Sequence, residues 1–385
     1  MTKQAPSPDT STSKNVSFQE LGRDCYAVRL KGPVGETASL TANIGVVVGR
    51  KQILVIDAGP VPAAATAVSE SLSNKFGKPV RYVALTHFHA RHGLGASGFE
   101  GADVVVSDLT RRMLADHGSD NRQLAARRDR STFAKGTARL VEPNISCASS
   151  LSLNLGDKEV RLMHLGRGHT LGDTVVWVED ARVMFTGGLV ATSNAPYCAD
   201  GHLADWPRVL TRIAAFRPNA IMPSSGESAI GTSSVTRAVE QTRTYLETLK
   251  DTGFQAVEEG ANLREVLSAV DQSMTSRLKS LNAYDERISV NVARAYDEAK
   301  GVDMPIIWTT EREASLMSVL GDVAQSSAEK AVDADPAEAA PADSASHVEE
   351  SPPKQDKTAE TSQTDAKPAC EDDQLEETIA EDEKA

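Results

Sequence analysis

The stretch THFHARHGLG, residues 86–95, places His87, His89 and His92 within a few positions of one another. Two imidazoles at HxH spacing on a loop can converge on one ion, and neutral imidazole is a common zinc ligand. A third nitrogen from His169, in GRGHTLGD, would complete the three-histidine set of catalytic zinc, with water in the fourth position. Zinc held in this way lowers the pKa of its water to about 7 and so makes a nucleophile at neutral pH. Arg91 stands among these histidines, where a cation-binding cluster is expected to carry an acid. Its guanidinium is permanently charged. At an effective dielectric constant of about 20, two unit charges about 4 Å apart interact by about 4 kcal/mol. Arg91 would therefore repel a second cation or replace it electrostatically. An HxH after a strand also arises without function, so its neighbours matter. Here Asp57-Ala58-Gly59 lies upstream and Gly168-His169-Thr170 downstream.

The elements that must carry these residues alternate between β-rich and helical patterns. Ile44–Val48 and Ile53–Ile56 flank the polar link GRKQ and read as a hairpin ending at Asp57. AAATAVSESLSNKFG reads as a helix stopped by Gly77. VRYVALT is a short buried strand leading into the histidines, with a helix entry at Gly95–Phe99, then the strand ADVVVSD and the helical LTRRMLADHG. Residues 119–139 are highly charged and read as an exposed helix or loop. A second β-rich half follows: the hairpin SLSLNLGDKEVRLMHLG, then TVVWVED, RVMFTGG and NAIMPSSG, with WPRVLTRIAAF helical between the last two. Val235, Val239, Thr242, Leu246 and Leu249 trace one helical face. Asn262 with Glu265 forms a capping-box pattern, and ISVNVARAYDEAK is a further helix. The chemistry-bearing residues fall at strand ends, at His87, His169, Gly187-Gly188 and Ser224-Ser225. In layered α/β folds such ends gather on one edge.

Taken together, NIGVVVG, LVIDAGP, THFHARHGLGASGF, GRGHTLGDTVVWV, RVMFTGGLV and NVARAYDE resemble the metallo-β-lactamase-fold superfamily. The likeness runs from about residue 19 to 300 and is nearest to the quinoprotein- and sulfur-oxidation-associated zinc metallohydrolase-like proteins. It implies an α/β fold, the αββα sandwich of these metallohydrolases. The family pattern HxHxDH falls on His87, His89, Arg91 and His92. It implies that His87, His89 and His169 hold a first metal. The family's second metal uses an acid at the position of Arg91, the histidine at His92, a bridging acid at the position of Gly188 and a histidine at the position of Ser225. Only His92 of that set is present. Asp57 matches the family acid that supports the histidine loop through hydrogen bonds.

The resemblance implies a hydrolase with one zinc ion, in which zinc-activated hydroxide attacks a carbonyl or ester. Arg91 would steady an anionic substrate or oxyanion, and His92 or Asp57 would assist proton transfer. Against this, the acid that commonly orients the nucleophilic water in this fold is an arginine here. The alternative is a pseudoenzyme that binds a small molecule or partner through the old cleft. An iron dioxygenase of the persulfide type, also found on this fold, needs two histidines and a carboxylate, and Gly188 supplies none.

Other candidates read more simply. His164 is a core or edge histidine, and His117 ends a helix, where a cation suits the dipole. His202 and Cys198 read as exposed residues of a loop overhanging the site, with His202 as a replacement ligand the lesser reading. Trp177 and Trp206 read as packing residues, and Asp173 as fixing the GHT loop.

The 385 residues carry a net charge of −13, but the charge is unevenly placed. Nineteen acids and five lysines lie from residue 322 onward, which leaves the body near neutral. A nucleic-acid groove needs a clustered basic face, so no nucleic-acid partner is expected. No run of 18 apolar residues is present, so no membrane span is expected. The four scattered cysteines form no CxxC pair, which argues against a disulfide framework and makes the cytoplasm the default compartment. The expected organisation is a disordered N-terminus at 1–18, the sandwich at 19–235, a helical extension at 236–300, a connecting segment at 301–321 and an acidic disordered tail at 322–385. The tail is a solvated extension or a protein-partner arm. Substrate and oligomeric state are not written in these patterns.

Overall fold

The computed structural model describes residues 16–30, 42–128 and 140–320. The expected disordered tail from 322, the first fifteen residues and the fourth cysteine, Cys370, lie outside them. Strand β1 spans Val16–Gly22, so ordered backbone begins before the expected boundary at residue 19.

The hydrophobic runs assemble two sheets. Strands β1, β2 (Cys25–Leu30), β3 (Ile44–Val48), β4 (Ile53–Ile56), β5 (Val80–Ala84), β6 (Asp103–Ser107) and β7 (Ile145–Cys147) form the first, in sequential order. Strands β8 (Ser150–Asn154), β9 (Glu159–Met163), β10 (Val175–Val178), β11 (Val183–Gly187), β12 (Ala220–Pro223) and β13 (Ala229–Ile230) form the second. β3 and β4 pair antiparallel as the expected hairpin. β4 and β5 are parallel, as are β11 and β12. Each of these parallel pairs needs a helical crossover. Helices α1 (Pro62–Phe76) and α4 (Trp206–Ala215) supply them, and Gly77 closes α1 in the left-handed conformation at φ 64°.

Alternation along the strands decides the layers. Val47, Leu54 and Ile56 of the first sheet meet Leu162, Val176 and Phe185 of the second in the central core. Val46, Ile53 and Val55 point the other way, onto Ala65, Val68 and Leu72 of α1. Val175, Trp177 and Met184 pack outward onto Trp206, Val209 and Ile213 of α4. Both faces of each sheet are covered, which is why the central strands are apolar throughout rather than alternating. The result is the αββα sandwich.

Helix α5 (Thr232–Glu258) buries Val235, Val239, Thr242, Leu246 and Leu249 along the expected face. The domain border expected at residue 235 thus falls inside this helix. Residues of the C-terminal helices pack with Val175, Trp177 and Met184 in one core cluster, so these helices are part of the sandwich's outer layer. They comprise α6 (Leu263–Ser273), α7 (Ser276–Lys279) and α8 (Tyr284–Ala299). The Asn262–Glu265 capping box forms at the start of α6. The expected connector at 301–321 includes helical residues 310–320 and buries Trp308, Leu316 and Leu320.

Two local expectations change. The short helix α2 (Ala90–Gly93) follows His89, and His117 does not end a helix, because the next helix, α3, continues from Asp108 to Arg128. The charged segment from 119 extends that helix to 128, and 129–139 lie outside the described residues. Among the described residues no helix is long and apolar enough to cross a membrane, and Cys25, Cys147 and Cys198 are free thiols.

Candidate metal centre

The ends of β4, β5, β9, β11 and β12 meet on one edge, and close backbone approach holds their loops together. Ala58 N–H donates to the His92 carbonyl, and Gly95 N–H to the Gly59 carbonyl at 2.9 Å. A Cβ at Gly95 would lie 2.0 Å from the Ala58 oxygen, so only glycine allows this approach. Thr174 N–H donates to the Thr86 carbonyl at 2.8 Å and joins the two sheets beside the site. Asn43, from NIGVVVG, donates through its side chain to the carbonyls of Pro223 and Gly226 and so fixes the loop bearing Ser225.

His87, His89 and His169 come together, with one nitrogen from each within 4.8 Å of the others, and all three are buried. Their remaining nitrogens state the tautomers, as inferred from partners. His169 Nδ1 faces the Tyr197 carbonyl at 2.8 Å and must donate, which leaves Nε2 as a lone pair. His89 Nε2 donates to the Asp200 carboxylate at 2.9 Å, leaving Nδ1. His87 Nδ1 lies 2.8 Å from the Thr86 hydroxyl. That hydroxyl lies 3.0 Å from each Asp57 oxygen, and Asp57 also accepts the Thr86 N–H. With the hydroxyl donating to Asp57, His87 Nδ1 donates to the hydroxyl and Nε2 is left bare. Among the described residues His87 Nε2 is buried with no partner, and the free nitrogens of His89 and His169 face each other at 3.1 Å.

Burial, then the neighbouring histidines, hold His87 and His169 well below the ordinary imidazole pKa. They are neutral at pH 7, as ligation requires. Burial lowers His92 to about 3, helped by His89 and Arg91. Burial raises Asp57 to about 7, against the opposing hydrogen bonds from Thr86. Asp57 holds the left-handed conformation at φ 57° directly after β4. It touches Thr86 rather than the cavity, and its link to the site runs through that hydroxyl and His87.

A cavity of about 620 Å³ opens beside the cluster, and His89, Arg91, His92, His169, Gly188 and Ser225 all line it. The three departures from the family pattern therefore share one space with the histidines. A Cβ on Gly188 would lie 2.0 Å from His169 Cδ2. The imidazole occupies the space that a larger residue at this position would need.

The remaining candidates separate. Asp173 accepts from Thr170 N–H and Oγ1 at 2.8 and 2.7 Å and fixes the GHT loop. Trp177 and Trp206 are buried in the outer core. His164 is half-buried, its Nδ1 2.8 Å from the Asp173 carbonyl. His202 is not an exposed loop histidine: it is 2% exposed, neither ring nitrogen has a partner among the described residues, and it lies outside the three-histidine group. Cys198 is likewise buried in the core rather than exposed, and burial pushes its thiol pKa up. Both are drawn inward because helix α8 clamps their loop. Asn291 accepts from Cys198 N–H and donates to the Pro196 carbonyl, and Arg294 donates to the Gly201 carbonyl at 2.6 Å.

Sequence reasoning missed this clamp. The loop at 195–205 presents the Tyr197 carbonyl and Asp200 to two of the histidines, and α8 holds it there. Asn291 and Arg294 lie in NVARAYDE, part of an expected helix, and both are fully buried. The sequence shows only an arginine and an asparagine in a helical stretch, and their burial is set by the fold. Arg287, on the same helix, lines the cavity, and no spacing rule marked it.

Comparison with known families matches residues 39–224 to the metallo-beta-lactamase superfamily. Among solved structures, a metallo-beta-lactamase from Pontibacter korlensis is 19% identical, covering 59% of this chain and 99% of that one with a TM-score of 0.45. A double mutant of the sec-alkyl sulfatase PisA1 is 16% identical, with a TM-score of 0.61 over 74% of this chain. The match spans 51% of that sulfatase, about half its length, and is a likeness of fold. The two-sheet sandwich, the histidines gathered at its edge and the family match agree: residues 39–224 form a domain of the metallo-beta-lactamase superfamily.

Proposed function

We propose that the chain is a hydrolase with a single zinc ion held by His87 Nε2, His89 Nδ1 and His169 Nε2. One observation carries the reading: three buried nitrogens converge as lone pairs, and one of them has no partner. Leaving such atoms buried and unpaired is costly, and a cation relieves the cost. Three histidines with an open fourth position suit zinc. When bound, zinc would polarise a carbonyl or ester oxygen and lower the pKa of a coordinated water to about 7.

The chain's own residues orient and restrict. Asp57, Asp200 and the Tyr197 carbonyl each fix the tautomer of one histidine and make it a better donor. Arg91 lines the cavity as a fixed positive charge that suits an anionic group and opposes a second cation. His92 lines the cavity and burial holds it neutral, so it offers a ligand a hydrogen-bonding ring rather than a ready proton acceptor. Gly188 leaves no acid to bridge two ions, and the crowding against His169 leaves no room for one.

Metal analysis after zinc loading tests this. One zinc per chain is expected, lost in His169→Ala. Two tightly bound ions would refute the one-ion site. No bound metal would favour a non-catalytic binding role for the cleft.

A further inference from the structure

The cavity beside the histidines carries charge and apolar surface in a pattern that selects a ligand. Arg287 lies in the first turn of α8 and is partly buried in the cavity wall. Its guanidinium donates to the Ala195 carbonyl. Among the described residues it has no ion-pair partner at all, unlike Arg167, Arg294 and Arg312, which each pair with a carboxylate. A guanidinium has five N–H donors in a planar fork that matches a carboxylate or similar oxyanion. Using one of them on a carbonyl leaves the others for a ligand. Arg287 also lies near enough to the histidines for its charge to help hold His92 and His169 neutral.

Leu124, Val190, Val290 and Met317 give the wall apolar surface, interrupted by polar groups such as Asn121, Asn194 and Ser225. Its volume of about 620 Å³ falls within the range of small-molecule sites. Two carboxylates, Glu286 and Glu313, line it against Arg91 and Arg287. Glu286 is exposed at the rim, where water and salt screen its charge. A divalent ion on three imidazoles would add two positive charges with no acid among its ligands. Arg91 and Arg287 are matched in number by Glu286 and Glu313, so such an ion would tip the cavity's balance positive beside the histidines.

We propose that this cavity takes a small organic anion with an apolar body, its oxyanion on the Arg287 guanidinium and its body against Leu124, Val190, Val290 and Met317. This names a substrate class for the site described under the proposed function, and it rests on that cavity being the ligand site. Arg287 is then a specificity residue contributed by the C-terminal helices and not by the matched family domain.

Calorimetric titration of the full chain with n-hexanoate, n-hexanol, n-hexylammonium and acetate tests the proposal, in metal-free and zinc-loaded forms. Hexanoate should bind roughly ten- to a hundredfold more tightly than hexanol, and acetate, which lacks the body, should bind weakly. Arg287→Gln should remove that preference without changing zinc content, and Arg287→Lys should restore part of it. The lysine variant, together with a thermal melt, separates loss of the anion contact from loss of fold. Equal binding of hexanoate and hexanol, tighter binding of hexylammonium, or hexanoate affinity indifferent to Arg287→Gln would each overturn the proposal. Direct zinc stoichiometry keeps the two readings apart. One zinc with no hexanoate preference sinks the anion site alone, whereas Arg287-dependent hexanoate binding in a chain that takes no zinc sinks the metal site alone.

Discussion

Asp57 and His87 are joined by a single hydroxyl: Thr86 Oγ1 lies 3.0 Å from the carboxylate and 2.8 Å from His87 Nδ1. The direction of this relay decides which nitrogen of His87 is bare. Asp57→Asn should reverse it. The amide N–H₂ would donate to the hydroxyl, the hydroxyl would turn to His87 Nδ1, and Nε2 would carry the proton. Zinc affinity should fall by roughly 10–100-fold with little change in the fold. Chelator competition measures it, and an unchanged affinity would show that the relay does not set the tautomer.

Placing an acid at Gly188, where the resemblance expects one, should not create a second metal site. In Gly188→Asp the new Cβ meets His169 at 2.0 Å, a separation that bonded geometry cannot absorb locally. His169 must move off the other two histidines. The expected result is less bound zinc than in the native protein. Two ions per chain in this variant would contradict the crowding argument.

The α8 clamp should couple stability to metal affinity. Asn291 is fully buried and bonds Cys198 N–H, the Pro196 carbonyl and the Tyr245 hydroxyl. Asn291→Leu leaves those groups unpaired, at about 1–3 kcal/mol for each that water cannot reach. Urea unfolding should show a loss on the order of 2–5 kcal/mol. Zinc affinity should fall as well, because Tyr197 and Asp200 sit on the released loop. A stability loss with unchanged zinc affinity would separate the loop from the histidines.

His202 should make the fold acid-sensitive. Burial lowers its pKa from the ordinary 6.5 to about 4. A group whose folded pKa is depressed contributes stability above its unfolded pKa and loses it as pH falls toward the folded value. For His202 that window runs from pH 6.5 down to about 4. His202→Leu removes the term, so its stability relative to the native protein should be greater at pH 5 than at pH 8 by on the order of 1–2 kcal/mol. Paired thermal melts of metal-free protein at the two values check this. A pH-independent difference would place the imidazole in contact with water.

The histidine motifs, the hairpin into Asp57 and the face of α5 were legible because each rests on local spacing. HxH spacing, strand runs and a 3.6-residue period are properties of a few consecutive residues. The errors were long-range. His202 and Cys198 sit in a polar, glycine-containing stretch that reads as surface loop, and only α8, some ninety residues later, draws it into the core.

The sequence by itself determined the sandwich, the three histidines and the absence of acids at Arg91 and Gly188, since ligand chemistry belongs to residue types. Tertiary structure alone decided which nitrogen of each histidine is bare, because that depends on Thr86, Asp200 and the Tyr197 carbonyl meeting three separate rings. It also decided that Arg287 faces the same cavity as His169. Hydrogen bonds and charges act over a few ångströms, and chain folding rather than chain order sets those distances.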